Sequence, residues 1–294
     1  INVITSVTDQ GQGTPTGILQ IVGDRLGVGM DDIAVTFSGD TAVTPYGGGA
    51  WASRGLTIGG EAALRAADAL AESLCVLAGA ILQTAPEALD VGPGGICDRE
   101  TGDVRMSLLE VAEAGHFRHD LLPPGTQPEL AVTRHYAPQA PFCIANGIQG
   151  ALIEVDLQTG FVTPMKHWVV EDCGRVINPL LVDEQIRGGV VQGIGGALFE
   201  HCIYDDDANL LNGTLADYMV PMAAEMPDIQ VGHVETLAEG TQLGAKGAGE
   251  AGTVGAPAAI MCAVNDALRP HRALVTEMPM TPEIVLNALK NPVL

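Results

Sequence analysis

The sequence predicts an α+β fold in which mixed sheets are packed with helices. Long apolar stretches with helical spacing alternate irregularly with short β-branched runs that end at glycine or aspartate. The chain has 294 residues, of which 47% are hydrophobic and 17% charged, enough for one large folded domain or two ordinary ones. A stretch rich in proline and glycine, 121–128, predicts a boundary between two lobes, residues 1–125 and 126–294.

The elements follow from apolar spacing and turn residues. Strands are expected over residues 1–9, 33–37, 104–109, 130–136, 151–156, 161–170 and 229–236. Helices are expected over residues 16–26, 55–83, 109–115, 180–198, 257–268 and 283–289. Residues 157–160 predict a hairpin turn, and the glycines of 92–95 predict a tight turn.

Composition and charge exclude several classes of function. A formal net charge of -22 repels nucleic acid and anionic membranes. No apolar run reaches the length of a membrane span, and the first residues lack the basic region of a signal peptide, so we expect no membrane span. Six widely spaced cysteines without a C-x-x-C pair argue against a zinc or iron–sulfur site and favour reduced thiols in a cytoplasmic protein. The seven histidines are expected to be surface or structural residues, so no metal ligand is predicted.

A glycine-rich loop around one acidic residue, 244–257, is the strongest candidate site. It contains Lys246, Gly247, Gly249 and Glu250 and leads into a predicted helix. A carboxylate held in such a confined loop can act as a general base. Glycines required only by tight turns are the structural alternative. The loop also matches the G-x-G-x-x-G pattern of dinucleotide-binding proteins, but a poor strand precedes it and too few residues follow for that domain.

Three further glycine-rich segments are candidate binding loops. In the first, Gln12 and Gly13 stand where a strand turns into a helix. The second suits a phosphate or pyrophosphate and contains Gly48, Gly49, Ala52, Ser53 and Arg54. The third, 192–198, begins at Gln192. The structural alternatives are a plain strand-to-helix turn, a helix cap with a surface ion pair, and close helix packing.

In content and order, these four segments resemble the molybdenum-binding subunit of the xanthine dehydrogenase family. That family includes xanthine and aldehyde oxidoreductases, carbon monoxide dehydrogenases and bacterial N-heterocycle hydroxylases. Three more segments look like it: Glu154-Val155-Asp156-x-x-Thr159-Gly160, Asp172-Cys173-Gly174-x-x-Ile177-Asn178-Pro179 and Asp217-Tyr218-x-x-Pro221. The resemblance covers nearly the whole chain but only the C-terminal part of the family's large subunit. The chain is therefore expected to be a split subunit or a fragment.

The resemblance implies a molybdenum hydroxylase subunit that works in a heteromeric complex with Glu250 as its base. It implies a molybdenum–pterin cofactor, in the form of molybdopterin cytosine dinucleotide, held without a Cys or His ligand from this chain. The cofactor contacts implied are Gln12, Gly13, Gly48, Gly49, Ala52, Ser53, Arg54, Gln192, Lys246, Gly247 and Gly249. The chain departs from the family pattern at Thr14, Ala50, Gly55 and Gln149, which leaves cofactor details and substrate open.

The partners implied are the N-terminal molybdenum-binding portion on another chain, a [2Fe-2S] subunit and an FAD subunit. The substrate implied is a small molecule, an N-heteroaromatic ring or an aldehyde, with carbon monoxide as a further candidate. Two alternatives stay open: a non-catalytic scaffold or cofactor-binding subunit of such a complex, and a nicotinamide-dependent dehydrogenase.

Overall fold

The computed structural model describes residues 1–37, 40–44, 47–139 and 144–293. Its strands are β1 Asn2–Thr5, β2 Ala34–Phe37, β3 Leu89–Gly92, β4 Gly95–Asp98, β5 Val104–Met106, β6 Asn146–Val155, β7 Val162–Asp172 and β8 Asp228–His233. Its α-helices are α1 Thr14–Leu26, α2 Gly55–Leu82, α3 Leu108–His116, α4 Pro179–Leu198, α5 Ala251–Leu268 and α6 Pro282–Lys290. The predicted α+β class is confirmed, because small parallel, antiparallel and mixed sheets are each accompanied by helices.

The chain forms two compact units. Unit 1 consists of Ile1–Cys143 and Ala238–Ala245, and unit 2 of Ile144–Leu237 and Lys246–Leu294. The lobe boundary predicted at residues 125 and 126 falls inside unit 1 in this division. Unit 1 thus includes a short segment that directly precedes Lys246 in the chain.

The core of unit 1 is built on two parallel helices. Strands β1 and β2 pair in parallel, with α1 connecting them. Helix α2 runs alongside α1 in the same direction, because Gly17 faces Leu56 near the two helix starts and Ile21 faces Gly60 one turn later. The buried side chains that hold this layer together include Ile18, Val22, Leu26, Leu74, Leu77, Leu89, Ile96 and Val111.

A small antiparallel sheet, in the order β3-β4-β5, completes unit 1. Sequence analysis did not predict β3 and β4, although the tight turn predicted over residues 92–95 is confirmed as the hairpin that joins them. The strand predicted over residues 130–136 was wrong. There Leu130 packs against Gly115 and Leu77, and the Tyr136 ring lies 4.4 Å from the Arg65 guanidinium carbon. These side chains pack against helices α2 and α3, and residues 130–136 form no strand.

Unit 2 is a three-stranded sheet with helices on one face. Strands β6 and β7 are antiparallel, and β8 pairs with β7 in parallel. The hairpin predicted over residues 157–160 is confirmed, with Gly160 at a φ of 78° and its N–H donating to the Asp156 carbonyl oxygen. The core between the sheet and helices α4 and α5 includes Val169, Ile186, Val190, Ile194, Ile260, Val264 and Leu268.

One helical segment, Ala251–His271, is long and apolar enough by length and composition to cross a membrane. Core helices of globular domains pass the same test. In unit 2, Ile260, Val264 and Leu268 of this segment are fully buried in the hydrophobic core.

Candidate functional site

The first candidate binding loop forms a tight turn directly before α1. Gly13 has a φ of 78° and a ψ of 23°, a left-handed conformation that glycine adopts without steric cost. The Gln12 carboxamide folds back on Gln10, accepting from its N–H at 2.6 Å and donating to its side-chain oxygen at 3.0 Å. The Thr14 N–H donates to Asp9 Oδ1 at 3.2 Å. Gln12 and Gly13 therefore shape the turn at the start of α1, where the sequence placed them.

The second candidate binding loop packs around the Arg54 side chain. Its guanidinium carbon lies 4.3 Å from the centre of the Trp51 ring, and the other end of the group fills the space that a Cβ on Gly48 would need. Arg54 Nε is buried and has no hydrogen-bond partner among the residues that the structure describes. Ala52 and Ser53 both have positive φ, 53° and 56°, an unfavourable conformation that is concentrated at functional sites.

The two loops lie at the same end of unit 1. The segment after β1 joins them, because Ser6 packs against Gly47 and Val7 packs against Gly55 at the start of α2. Since α1 and α2 are parallel, their N-terminal ends lie side by side. Two helix N-termini and a guanidinium group together favour an anionic ligand. The structure thus brings together Gln12, Gly13, Gly48, Gly49, Ala52, Ser53 and Arg54.

In unit 2, Lys246 begins the glycine-rich loop and is held at both its backbone and its side chain. Its N–H donates to the Cys173 carbonyl oxygen at 2.7 Å. Its ammonium group lies 3.0 Å from Asp172 Oδ2 and 2.8 Å from Thr236 Oγ1. Burial alone would raise the pKa of Asp172, but hydrogen bonds from Thr236, Lys246 and Gly174 hold that pKa well below its usual range. Asp172 is therefore a permanent anion that pairs with Lys246 at neutral pH.

Glu250 occupies the position just before α5, with an exposed side chain. Glutamine side chains bind the peptide groups on either side of it. Gln185 Nε2 donates to the Gly249 carbonyl oxygen at 3.2 Å, and Gln149 Nε2 donates to the carbonyl oxygens of Ala251 and Gly252 at 3.0 Å each. The backbone on both sides of Glu250 is therefore held by side chains from other elements, while the residue itself is exposed.

Close packing on α4 completes the support of this loop. A Cβ on Gly189 would lie 3.0 Å from the Thr253 nitrogen, and Thr253 Oγ1 is 2.9 Å from the Gly189 carbonyl oxygen and 3.1 Å from Gln192 Oε1. Gln192 thus contacts the first turn of α5. The structure brings Gln192, Lys246, Gly247, Gly249 and Glu250 together in unit 2.

Sequence analysis missed the contacts of Gln149 and Gln185. Neither stands in a glycine-rich motif, and Gln149 was notable only as a departure from the family pattern. Their partners are 102 and 64 residues away in the chain, so no local signal reveals the contacts.

Two further expectations concern nucleotide and metal binding. Strand β8 ends at His233, and within the described ranges no strand directly precedes Gly247, so the context of a dinucleotide-binding motif is lacking. No group of three or more His, Cys, Asp or Glu side chains that could hold a metal ion occurs among the described residues.

Comparison with known proteins gives consistent matches along the chain. A family model described as the molybdopterin cofactor-binding domain matches residues 1–227. The nicotine 6-hydroxylase large subunit of Paenarthrobacter nicotinovorans is 37% identical over 290 residues, covering 99% of this chain and 35% of that protein. From the same organism, the 6-hydroxypseudooxynicotine dehydrogenase complex subunit gamma is 35% identical over 291 residues, covering 98% of this chain and 36% of that protein.

A solved structure agrees with these matches. Quinoline 2-oxidoreductase from Pseudomonas putida 86 has a TM-score of 0.93 and 38% identity, covering 99% of this chain and 37% of that one. The chain thus spans about a third of the length of the relatives it matches.

Proposed function

The chain belongs to the family of molybdopterin cofactor-binding domains, and on that premise we propose that it forms the C-terminal part of the molybdenum-binding subunit of a hydroxylase. The observation that carries this proposal is the position of Glu250. Its carboxylate is exposed at the start of α5 on a backbone held by hydrogen bonds at Gly249, Ala251 and Gly252. An exposed carboxylate with a fixed backbone suits a general base that must meet its proton in one geometry.

The residues of unit 1 fit an anionic cofactor. The buried Arg54 Nε lacks a hydrogen-bond partner in the described part of the chain, and the N-termini of α1 and α2 lie at the same end of unit 1. A pterin cofactor carries a phosphate, and its cytosine dinucleotide form carries a pyrophosphate. We assign Gln12, Gly13, Gly48, Gly49, Ala52, Ser53 and Arg54 to its binding, as guanidinium and helix-start N–H groups bind phosphate well.

The residues of unit 2 supply the base and its support. When bound, the molybdenum–pterin group supplies the oxidising capacity for inserting a water-derived oxygen atom at a carbon centre. The Glu250 carboxylate accepts the proton that the water-derived oxygen must lose. Lys246, Gly247 and Gly249 shape the loop, with Lys246 held by Asp172, and Gln192 supports the first turn of α5.

The substrate class that we favour is an N-heteroaromatic ring. The three relatives described above are named for nicotine, 6-hydroxypseudooxynicotine and quinoline, all of which contain a nitrogen heterocycle. An aldehyde is the alternative. Two thirds of the length of the relatives lie outside this chain, so we assign no residue of this chain to substrate selection.

The complex that we propose contains the remaining part of the large subunit, a [2Fe-2S] subunit and an FAD subunit, in the cytoplasm. One relative is itself named as a subunit of a dehydrogenase complex, which supports a heteromeric assembly. Electrons removed from the substrate need such carriers to leave the site.

The first test is the metal content of the natively purified complex, with its co-purifying chains identified. Molybdenum close to one atom per chain, together with iron and flavin, is expected. Turnover of an N-heteroaromatic substrate by the same complex is then expected to fall by roughly 10²–10⁴-fold in Glu250→Gln, because general-base catalysis contributes that much. An intact complex without molybdenum would favour the scaffold alternative, and full turnover by Glu250→Gln would remove the proposed base.

A further inference from the structure

A buried polar cluster lies on the inner face of the unit 2 sheet, directly beneath the start of α5. It consists of Gln149 on β6 and His167 and Glu171 on β7. His167 is 0% exposed and Glu171 is 3% exposed, so both polar groups have been removed from water. Burying such groups is costly unless they form hydrogen bonds inside the protein.

The hydrogen bonds define the orientation of the Gln149 carboxamide. Its Nε2 faces two carbonyl oxygens, of Ala251 and Gly252, which can only accept. Its Oε1 therefore faces His167 Nε2 at 2.9 Å, and that nitrogen must carry the proton. Burial lowers the pKa of His167, which keeps the imidazole neutral. His167 Nδ1 has no hydrogen-bond partner among the described residues. Among those residues, the ring therefore hydrogen-bonds with Gln149 alone.

Packing leaves the carboxamide little freedom to move. A Cβ on Gly255, one turn into α5, would lie 2.9 Å from both the carboxamide carbon and the nitrogen of Gln149. On the other side, the Glu171 carboxyl group occupies the space next to Gly147, on the same face of the sheet as Gln149. Gln149 is thus enclosed by α5, His167 and Glu171.

We propose that Gln149, oriented by His167, is a positioning residue that holds the first turn of α5 and so fixes the direction in which Glu250 presents its carboxylate. This role rests on the proposed function of Glu250 as the base. Gln149 does not touch the reacting atoms; it acts through the carbonyl oxygens of the two residues that follow Glu250. Small displacements of a catalytic group are costly, because even about 1 Å of misplacement can reduce a rate by 10²-fold.

The test uses Gln149→Met, which keeps the length of the side chain and removes its hydrogen bonds, in the complete enzyme complex. Hydrogen exchange followed by mass spectrometry is expected to show faster exchange in peptides covering residues 247–256, with unit 1 peptides unchanged. The kcat is expected to fall roughly tenfold with a smaller change in KM, as expected for a misplaced catalytic group. Gln230→Met, on the exposed side of β8, is the matched control and should leave exchange in 247–256 and kcat unchanged.

His167 provides a second pair of variants. His167→Gln keeps a donor towards Gln149 Oε1 and should retain near-normal hydrogen exchange and kcat. His167→Leu removes that donor and should show faster exchange in 247–256 and a lower kcat, both to a smaller extent than Gln149→Met. Unchanged hydrogen exchange in residues 247–256 of Gln149→Met would overturn the proposal. Faster exchange there without any loss of kcat would overturn it as well.

The double variant Gln149→Met with Glu250→Gln separates this proposal from the proposed function. Its kcat should equal that of Glu250→Gln alone, because the position of the base no longer matters once the base is removed. A further loss in the double variant would contradict a role through Glu250. Full turnover by Glu250→Gln would defeat the proposed function, while the exchange result would still decide whether Gln149 holds the loop.

Discussion

Gly252 of α5 packs directly on Ile186 of α4, so closely that a Cβ on Gly252 would overlap the Ile186 carbonyl oxygen. The same Cβ would lie 2.7 Å from the Val190 nitrogen, so the obstacle is backbone on a rigid helix. The two helix backbones approach this closely because the residues that face each other at the contact, Gly189 and Gly252, have no side chain. The contact lies two residues after Glu250 and sets the position of the first turn of α5.

The first prediction concerns this contact. Gly252→Ala should destabilise unit 2 by about 1–3 kcal/mol, because the methyl group forces two helix backbones apart. Gly188→Ala is the matched control on α4, where a Cβ would meet no atom within 4 Å. It should be neutral or stabilising by up to ~1 kcal/mol, as alanine favours helix. Urea denaturation of both variants measures the difference; equal midpoints would contradict the packing.

The second prediction concerns cofactor retention in unit 1. In Gly48→Ala the new methyl group takes the space that the Arg54 guanidinium group occupies. The guanidinium can swing away, so folding should be little affected, but its contact with an anionic cofactor should be weakened. We expect a severalfold lower molybdenum and pterin content per chain with an unchanged thermal midpoint. Gly188→Ala should retain full cofactor, and a full cofactor content in Gly48→Ala would argue against the role of Arg54.

The third prediction concerns the ion pair of Asp172 with Lys246. Asp172→Asn should cost on the order of 1–3 kcal/mol at pH 7, because the partly buried Lys246 ammonium loses its counter-charge. The pKa of Asp172 is held below its ordinary value of 3.8 in the folded protein, so its stabilising contribution is present above that pH and is lost as the pH falls further. The stability difference between the two proteins should therefore shrink below about pH 4. A constant difference from pH 6 to pH 2, measured by urea denaturation, would contradict the assignment.

The fourth prediction concerns the pH dependence of stability through Glu171. Burial raises the pKa of this group from 4.5 to about 7, against the opposing effects of Gln149 and the charge of His233. The folded state therefore binds the proton more tightly than the unfolded state does. The stability that this proton contributes is fully present below pH 4.5 and is lost as the pH rises through about 7.

The variant that tests this effect is Glu171→Gln, which keeps a neutral hydrogen-bonding group at the same place. It should gain stability relative to the unmodified protein as the pH rises from 5 to 8, by up to roughly 3 kcal/mol. Thermal midpoints measured at several pH values provide the comparison. Parallel pH curves for the two proteins would show that Glu171 does not titrate in this range.

Several elements could be predicted from the sequence because their signals are local. The helix spacing in α1, α2 and α4 and the turn at Gly160 depend on residues close together in the chain. The strand expected over residues 130–136 was wrong because Leu130 and Tyr136 pack against helices, and period-two spacing does not distinguish that packing from a sheet. Strands β3 and β4 were missed because each combines a glycine and an aspartate with only two apolar residues, a composition that is more typical of turns.

The sequence by itself determined the α+β class, the glycine-rich loops and the identity of Glu250 as the one carboxylate set among glycines. Only the tertiary structure decided which groups hold the backbone on either side of that carboxylate. Gln149 and Gln185 reach the peptides beside Glu250 from β6 and α4, across 102 and 64 residues of chain. The physical reason is that a glutamine's hydrogen bonds depend on where folding places its partners, whereas a glycine's conformational freedom is a property of the residue itself.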